Sequence, residues 1–234
     1  MIKSLPKSFV DRANRMLSMD EFDTISNPIF ISNECATLKP DVDTQYILRM
    51  LIKSPETNNE FAIPDELNWI KPTILRLDNL QKFNNLQNPW VYITIRHGVV
   101  TTKTDDSWHV DGFSMRFPHV PEQNYIFANH TGTEYADQIV KFPDDFDPLK
   151  HNIHDYFSDH GNITNIKKCE DGAIYLIDPY CIHRRPTETK NSIRTFWRLS
   201  FLPIEINDNG ATDNPLLPKK NIHTNRYKKN SKKI

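Results

Sequence analysis

The chain has 234 residues, of which 38% are hydrophobic and 11% aromatic, enough to bury a sizeable core, so global disorder is excluded. Six glycines against 16 prolines exclude collagen-like and Gly/Ser-linker architectures, and no apolar run approaches the roughly 18 residues of a membrane-spanning helix. The net charge of −1 hides an asymmetry: residues 214–234 carry seven Lys or Arg and no acid, leaving 22 basic against 30 acidic side chains elsewhere.

The first residues are polar and interrupted by charge, unlike a secretory signal. Residues 7–18 place Phe9, Val10, Ala13, Met16 and Leu17 on one face, which predicts a helix. A second helix is predicted over 41–53, where Tyr46, Ile47, Met50 and Leu51 recur at helical spacing before Pro55. Residues 64–86 read as a helical or irregular scaffold broken at Pro72. From residue 90 the pattern changes to period two: Val91, Ile93 and Ile95 alternate with Tyr92, Thr94 and Arg96. Further strands are predicted at 107–117, 123–130, 173–178 and 193–204, with a helical or loop stretch at 134–160. Asp171-Gly172 carries the signature of a hairpin turn.

The expected organisation is one domain over 1–213: a helical part to about 88, a mainly antiparallel β-core over about 89–206 with the 134–160 insert, and a basic, disordered tail over 214–234. Such a tail is a solubilising terminus or a contact for an anionic partner. Cys35, Cys169 and Cys181 are odd in number and lack CxxC spacing, which argues against a disulfide framework and for a reducing, cytoplasmic setting.

His109 and Asp111 stand two apart in a predicted strand, so alternation points both side chains to one face. His183 follows the strand AIYLID and the corner Pro179-Tyr180-Cys181. Two imidazoles and one carboxylate on one face of an ion leave open positions, the donor set of non-heme Fe(II) oxygen chemistry; zinc is the alternative. In SIRTFWRLSFLP, alternation places Arg194, Phe196, Arg198 and Ser200 on one face. An arginine on the inner face of a barrel needs an anion, and a carboxylated co-substrate supplies one.

The ordered set His109, Asp111, His183 and Arg198 resembles the HxD…H…R pattern of the Fe(II)/2-oxoglutarate-dependent dioxygenases, whose core is a double-stranded β-helix, the jelly-roll or cupin-like fold. The resemblance covers about residues 90–204. It implies Fe(II) on His109, Asp111 and His183, 2-oxoglutarate as co-substrate, and O2. Arg198 and Ser200, 15 and 17 residues after His183, resemble the RxS pair that grips the distal carboxylate. Arg194, 11 residues after His183, is the rival for that role; the arginine left over then faces the substrate. Tyr125, Thr131 and Thr133 are further candidates to hydrogen-bond 2-oxoglutarate, and Trp108, Phe113, Phe117 and Trp197 to wall the substrate pocket. The 72 residues from Asp111 to His183 match no particular branch. An Asp at 111 argues for hydroxylation over halogenation.

The expected function is oxidation of a small polar metabolite, an amino acid or other carboxylate, with release of succinate and CO2. The alternatives are a 2-oxoglutarate oxygenase acting on protein or nucleic acid and a non-catalytic jelly-roll binding module.

Overall fold

The protein is described by a computed structural model over residues 4–34, 38–86, 88–99, 107–113, 120–186, 193–206 and 210–218. Cys35, Phe117, His119, His223 and the tail beyond 218 lie outside the described residues.

The elements in chain order are α1 (Lys7–Ala13), β1 (Ile29–Asn33), β2 (Gln45–Lys53), α2 (Lys71–Phe83), β3 (Trp90–Val99), β4 (Gln123–Ala128), β5 (Glu134–Ala136), α3 (Ile153–Asp159), β6 (Ile166–Lys168), β7 (Ala173–Ile177), β8 (His183–Arg184) and β9 (Ile193–Leu202). Six strands form one antiparallel sheet in the order β1-β7-β4-β9-β3-β2, and three form a smaller sheet in the order β6-β5-β8. The chain is mainly antiparallel β, with the two sheets of a jelly-roll core enclosing a cavity.

Alternation sorts the large sheet into two faces. On one, Val91, Ile93, Ile95, Tyr125, Phe127, Trp197, Leu199 and Phe201 pack against Phe9 of α1 and Ile74 and Leu77 of α2, forming the main core. Each such fully buried side chain contributes about 1.5–3 kcal/mol by leaving water. The other face carries Thr94, Arg96, Ile126, Phe196 and Arg198 into the cavity. The central strand β4 is therefore buried at every position.

Three predicted elements differ in kind. Residues 41–53 do not form a helix: 45–53 are strand β2, paired with β3. Two bulges explain the misreading. Ile47 opposes Ile95 and Met50 opposes Ile93, so three steps on β2 match two on β3. The extra residue, with Arg49 at φ 43°, turns inward positions 47 and 50 into a helix-like spacing. The C-terminal residues satisfy the irregular strand: Leu48 N–H donates to Thr212 Oγ1 at 2.9 Å, and Asn214 Nδ2 donates to the Leu51 carbonyl at 2.7 Å. Asn214 is accordingly buried, and ordered structure continues past 213.

Pro72 begins α2 instead of breaking it, because a first-turn residue needs no N–H donor. Residues 107–113 form no strand; His109 makes only an isolated bridge to His183, and Asp111 and Gly112 sit in a bend. The first helix stops at Ala13, since the chain then leaves to bring Leu17 to a second core, where the Ser18 N–H donates to the Tyr180 hydroxyl at 3.0 Å. Asp171-Gly172 is a turn, with Gly172 at φ 77°, but it links β6 of the small sheet to β7 of the large one instead of closing a hairpin. Sequence patterning missed β1, which pairs with β7 at the sheet edge.

Candidate metal centre and its cavity

His109 and His183 face each other across their bridge, each backbone N–H donating to the other's carbonyl at 2.9 Å. Their ring centroids lie 4.3 Å apart. The turn before His183 is fixed by Asp178, whose Oδ1 accepts the N–H groups of Tyr180 and Cys181 at 3.0 and 3.1 Å. Arg12 of α1 pairs with the same carboxylate, so the N-terminal helix clamps the turn that delivers the distal histidine.

Ligand atoms of His109, Asp111 and His183 all lie within 4.8 Å of one another. Each histidine places Nδ1 on a backbone carbonyl, that of Ser107 at 2.9 Å for His109 and that of Cys181 at 2.8 Å for His183. Those bonds make Nδ1 the protonated nitrogen and leave each Nε2 lone pair for an ion. Burial, reinforced by the His109 charge, lowers the His183 pKa to about 4, so its imidazole is neutral at ordinary pH. Burial would raise Asp111, but Arg198, His183 and His109 together hold its carboxyl below the usual range. A neutral imidazole on His183 and an ionised carboxylate on Asp111 suit a divalent cation.

Around the ligands, Arg198 Nη1 donates to both Asp111 oxygens, at 2.9 and 3.1 Å. Asn124 Nδ2 donates to Asp111 Oδ2 at 2.7 Å, and Ser200 Oγ donates in turn to Asn124 Oδ1. Asn124, fully buried, escaped the sequence reading, although a polar residue inside the apolar strand QNYIFA was the available signal. His154 of α3 has a structural part: its Nε2 bonds the Val110 carbonyl at 3.1 Å and braces the segment between His109 and Asp111.

The cavity beside the ligands has a volume of about 420 Å³. Arg194, Phe196 and Arg198 line it together, as their alternation requires, and Thr133 joins them. Arg194 is buried, with Nε and Nη2 on the carbonyls of His130 and Thr131 at 3.0–3.3 Å. Ser200 is spent on Asn124. Tyr125 and Trp197 lie on the opposite face of the sheet: both are fully buried in the main core, with Tyr125 hydroxyl accepting from Gln81 at 3.0 Å and Trp197 stacked on Phe127. Odd-numbered positions on β4 and β9 point away from the cavity, which is why neither reaches it. Trp108 and Phe113 pack in the second core with Phe22 and Tyr180, behind the ligand segment, Trp108 under the Arg184 guanidinium at 4.3 Å. Among the described residues, no helix is long and apolar enough to cross a membrane.

No protein-family model matches the chain. No curated protein matches it either. Solved structures similar to it include EvdO2 from Micromonospora carbonacea var. aurantiaca complexed with 2-oxoglutarate, at 13% identity and TM-score 0.37, covering 74% of each chain. The non-heme alpha ketoglutarate dependent carbocyclase SnoK from nogalamycin biosynthesis is similar at 10% identity and TM-score 0.42, covering 85% of this chain and 84% of that one. HygX from Streptomyces hygroscopicus with nickel, 2-oxoglutarate and hygromycin B bound has 9% identity and TM-score 0.35, covering 87% of this chain and 81% of that one. At these scores the likeness assigns no chemistry, which is read from the side chains of this chain.

Proposed function

We propose that the protein is an Fe(II)- and 2-oxoglutarate-dependent oxygenase acting on a small molecule, hydroxylation being the expected outcome. The observation that carries this reading is the convergence of His109, Asp111 and His183 within 4.8 Å at the wall of a cavity that also holds a buried arginine. The three side chains hold the metal through two Nε2 atoms and one carboxylate. Iron bound there with 2-oxoglutarate supplies dioxygen activation and oxidation of a substrate C–H bond, with succinate and CO2 released.

The chain contributes position, charge and exclusion of water. Arg194 binds the distal carboxylate of 2-oxoglutarate, with Thr133 as a hydroxyl donor beside it. Arg194 suits that role better than Arg198, because the Arg198 charge is already matched by the Asp111 carboxylate, whereas the partners of Arg194 are neutral carbonyls. Arg198 instead keeps Asp111 ionised and aimed, and Ser200 does so at one remove through Asn124.

Anaerobic titration of the full chain with Fe(II) and 2-oxoglutarate tests this, read from the weak visible band of the chelate. The band should form, vanish in His109→Ala, and need about tenfold more 2-oxoglutarate in Arg194→Ala. Loss of affinity in Arg198→Ala with Arg194→Ala unaffected exchanges the two roles. Folded protein that gives no band sinks the oxygenase reading.

A further inference from the structure

Asp171-Gly172 closes no hairpin, yet the turn it stands in is bonded at three points to one stretch of chain, from the end of β4 to the start of β5. The Gly172 N–H donates to the Ala128 carbonyl at 2.8 Å, and the Cys169 N–H to the Thr133 carbonyl at 2.9 Å. Between them, Asp171 Oδ1 accepts from the Gly132 N–H at 2.9 Å. The two segments also press together: a Cβ built on Gly132 would lie 2.1 Å from the Cys169 carbonyl oxygen and 3.4 Å from Asp171 Oδ1.

The stretch held in this way carries the carbonyls that hold Arg194. His130 and Thr131 accept from its Nε at 3.2 and 3.3 Å, and Thr131 accepts from Nη2 as well, at 3.0 Å. These carbonyls take the Nε–Nη2 edge of the planar guanidinium, so a carboxylate in the cavity meets its other end. Thr131 stands in left-handed backbone, at φ 55°, where a β-branched residue is strained. Such strain persists where surrounding bonds over-determine it, and it gathers at sites that hold ligands. Here the bonds at Ala128 on one side, and at Gly132 and Thr133 on the other, supply the restraint. Thr133, which lines the cavity together with Arg194, is fixed by the same turn.

We infer that the 169–172 turn is a clasp that sets Arg194 for the distal carboxylate of 2-oxoglutarate, and that Asp171 is a positioning residue acting through the Gly132 N–H. The inference rests on the assignment of Arg194 to that carboxylate. Asp171 is exposed and lies outside the cavity lining. Its truncation therefore opens no hole in a core and removes no contact with the co-substrate; what is lost is the grip on the stretch that holds Arg194.

Calorimetric titration of the full Ni(II)-loaded chain with 2-oxoglutarate, beside a chelator competition for Ni(II), tests the clasp. Asp171→Ala should weaken 2-oxoglutarate about fivefold, leave Ni(II) affinity unchanged, and add no loss in the Arg194→Ala background. Asp171→Asn keeps an oxygen for the Gly132 N–H and should bind as the parent chain does. Gly132→Ala, which drives the two segments apart by another route, should repeat the loss. Parent-like affinity in Asp171→Ala, with Arg194→Ala weakened, overturns the inference and leaves the Arg194 assignment standing. Equal losses from Asp171→Ala in the parent and Arg194→Ala backgrounds overturn it too, as does an Asn variant as weak as the Ala one. Unchanged affinity in Arg194→Ala withdraws that arginine from the co-substrate, and the clasp with it. A loaded chain that takes up no 2-oxoglutarate sinks the oxygenase reading itself.

Discussion

Arg198 donates to both oxygens of Asp111, at 2.9 and 3.1 Å, and both side chains are shielded from water. A buried carboxylate that loses its counter-charge is costly, about 3–5 kcal/mol in comparable pairs. A divalent ion on Asp111 replaces that counter-charge. Arg198→Met should therefore destabilise the metal-free protein by about this amount and the Ni(II)-loaded protein by much less. Urea unfolding with and without Ni(II) checks it; equal losses in both states would mean that Arg198 supports packing and not the carboxylate.

Acid should weaken the metal-free fold through His183. Burial lowers its pKa from the ordinary 6.5 to about 4, so between those values the unfolded chain takes up a proton that the folded chain refuses. Stability then rises with pH across about 4 to 6.5 and is lost on acidification through the same window. His154 is shifted in the same direction, by burial, and adds to the slope. Asp111, held below its usual range, loses its contribution only in stronger acid. Urea midpoints at pH 7.5 and 5.0 should differ less in His183→Asn than in the parent chain, and parallel pH profiles would remove His183 as the source.

How much of this was legible in the sequence depended on whether strands stayed regular. On β3 and β9 the alternation is unbroken, so the shared face of Arg194, Phe196 and Arg198 was readable from parity alone. The same parity, applied to Tyr125 and Trp197, would have sent both to the main core. On β2 two bulges reset the phase and imitated a helix, a feature that only pairing with β3 reveals. His109 and Asp111 do converge, but through a bridge and a bend instead of strand geometry. That Arg198 pairs with Asp111 was not legible, because it depends on where residue 111 lies in space relative to β9.

A second buried ion pair tests the helix-side core. Lys53 at the end of β2 reaches Asp78 on α2 at 2.6 Å, and both side chains are buried, with Lys53 also lying 4.9 Å from the Phe61 ring. Removing Asp78 strands Lys53 in low dielectric, whereas the carboxylate also holds Lys82 at 2.7 Å; removing both Lys53 and Asp78 replaces a polar pair by apolar packing. Asp78→Leu should cost about 3–5 kcal/mol, and Lys53→Met combined with Asp78→Leu should recover most of it. Additive losses in the urea-unfolding cycle would show that the two charges do not depend on each other.

Gly112 follows the carboxylate ligand directly, and its backbone sits at φ 90°, where residues with a Cβ are strained. A Cβ built there would lie 2.3 Å from the Val120 carbonyl oxygen, and that residue is tied back by the Val120 N–H donating to the Gly112 carbonyl at 3.0 Å. Backbone faces the new atom, so relief must come from moving the bend that carries Asp111. The main core, built from α1, α2 and the far side of the large sheet, makes no use of this bend. Gly112→Ala should thus keep its fold by circular dichroism yet bind Ni(II) about 10–100-fold more weakly in a chelator competition, the range expected when support behind a metal ligand is lost. Asp111 displaced by even a fraction of an ångström changes its reach to a metal and its bonds to Arg198 and Asn124 together. Undiminished Ni(II) affinity in the folded variant would mean that the bend can shift without carrying the carboxylate with it, and that Asp111 is held from β9 and β4 alone.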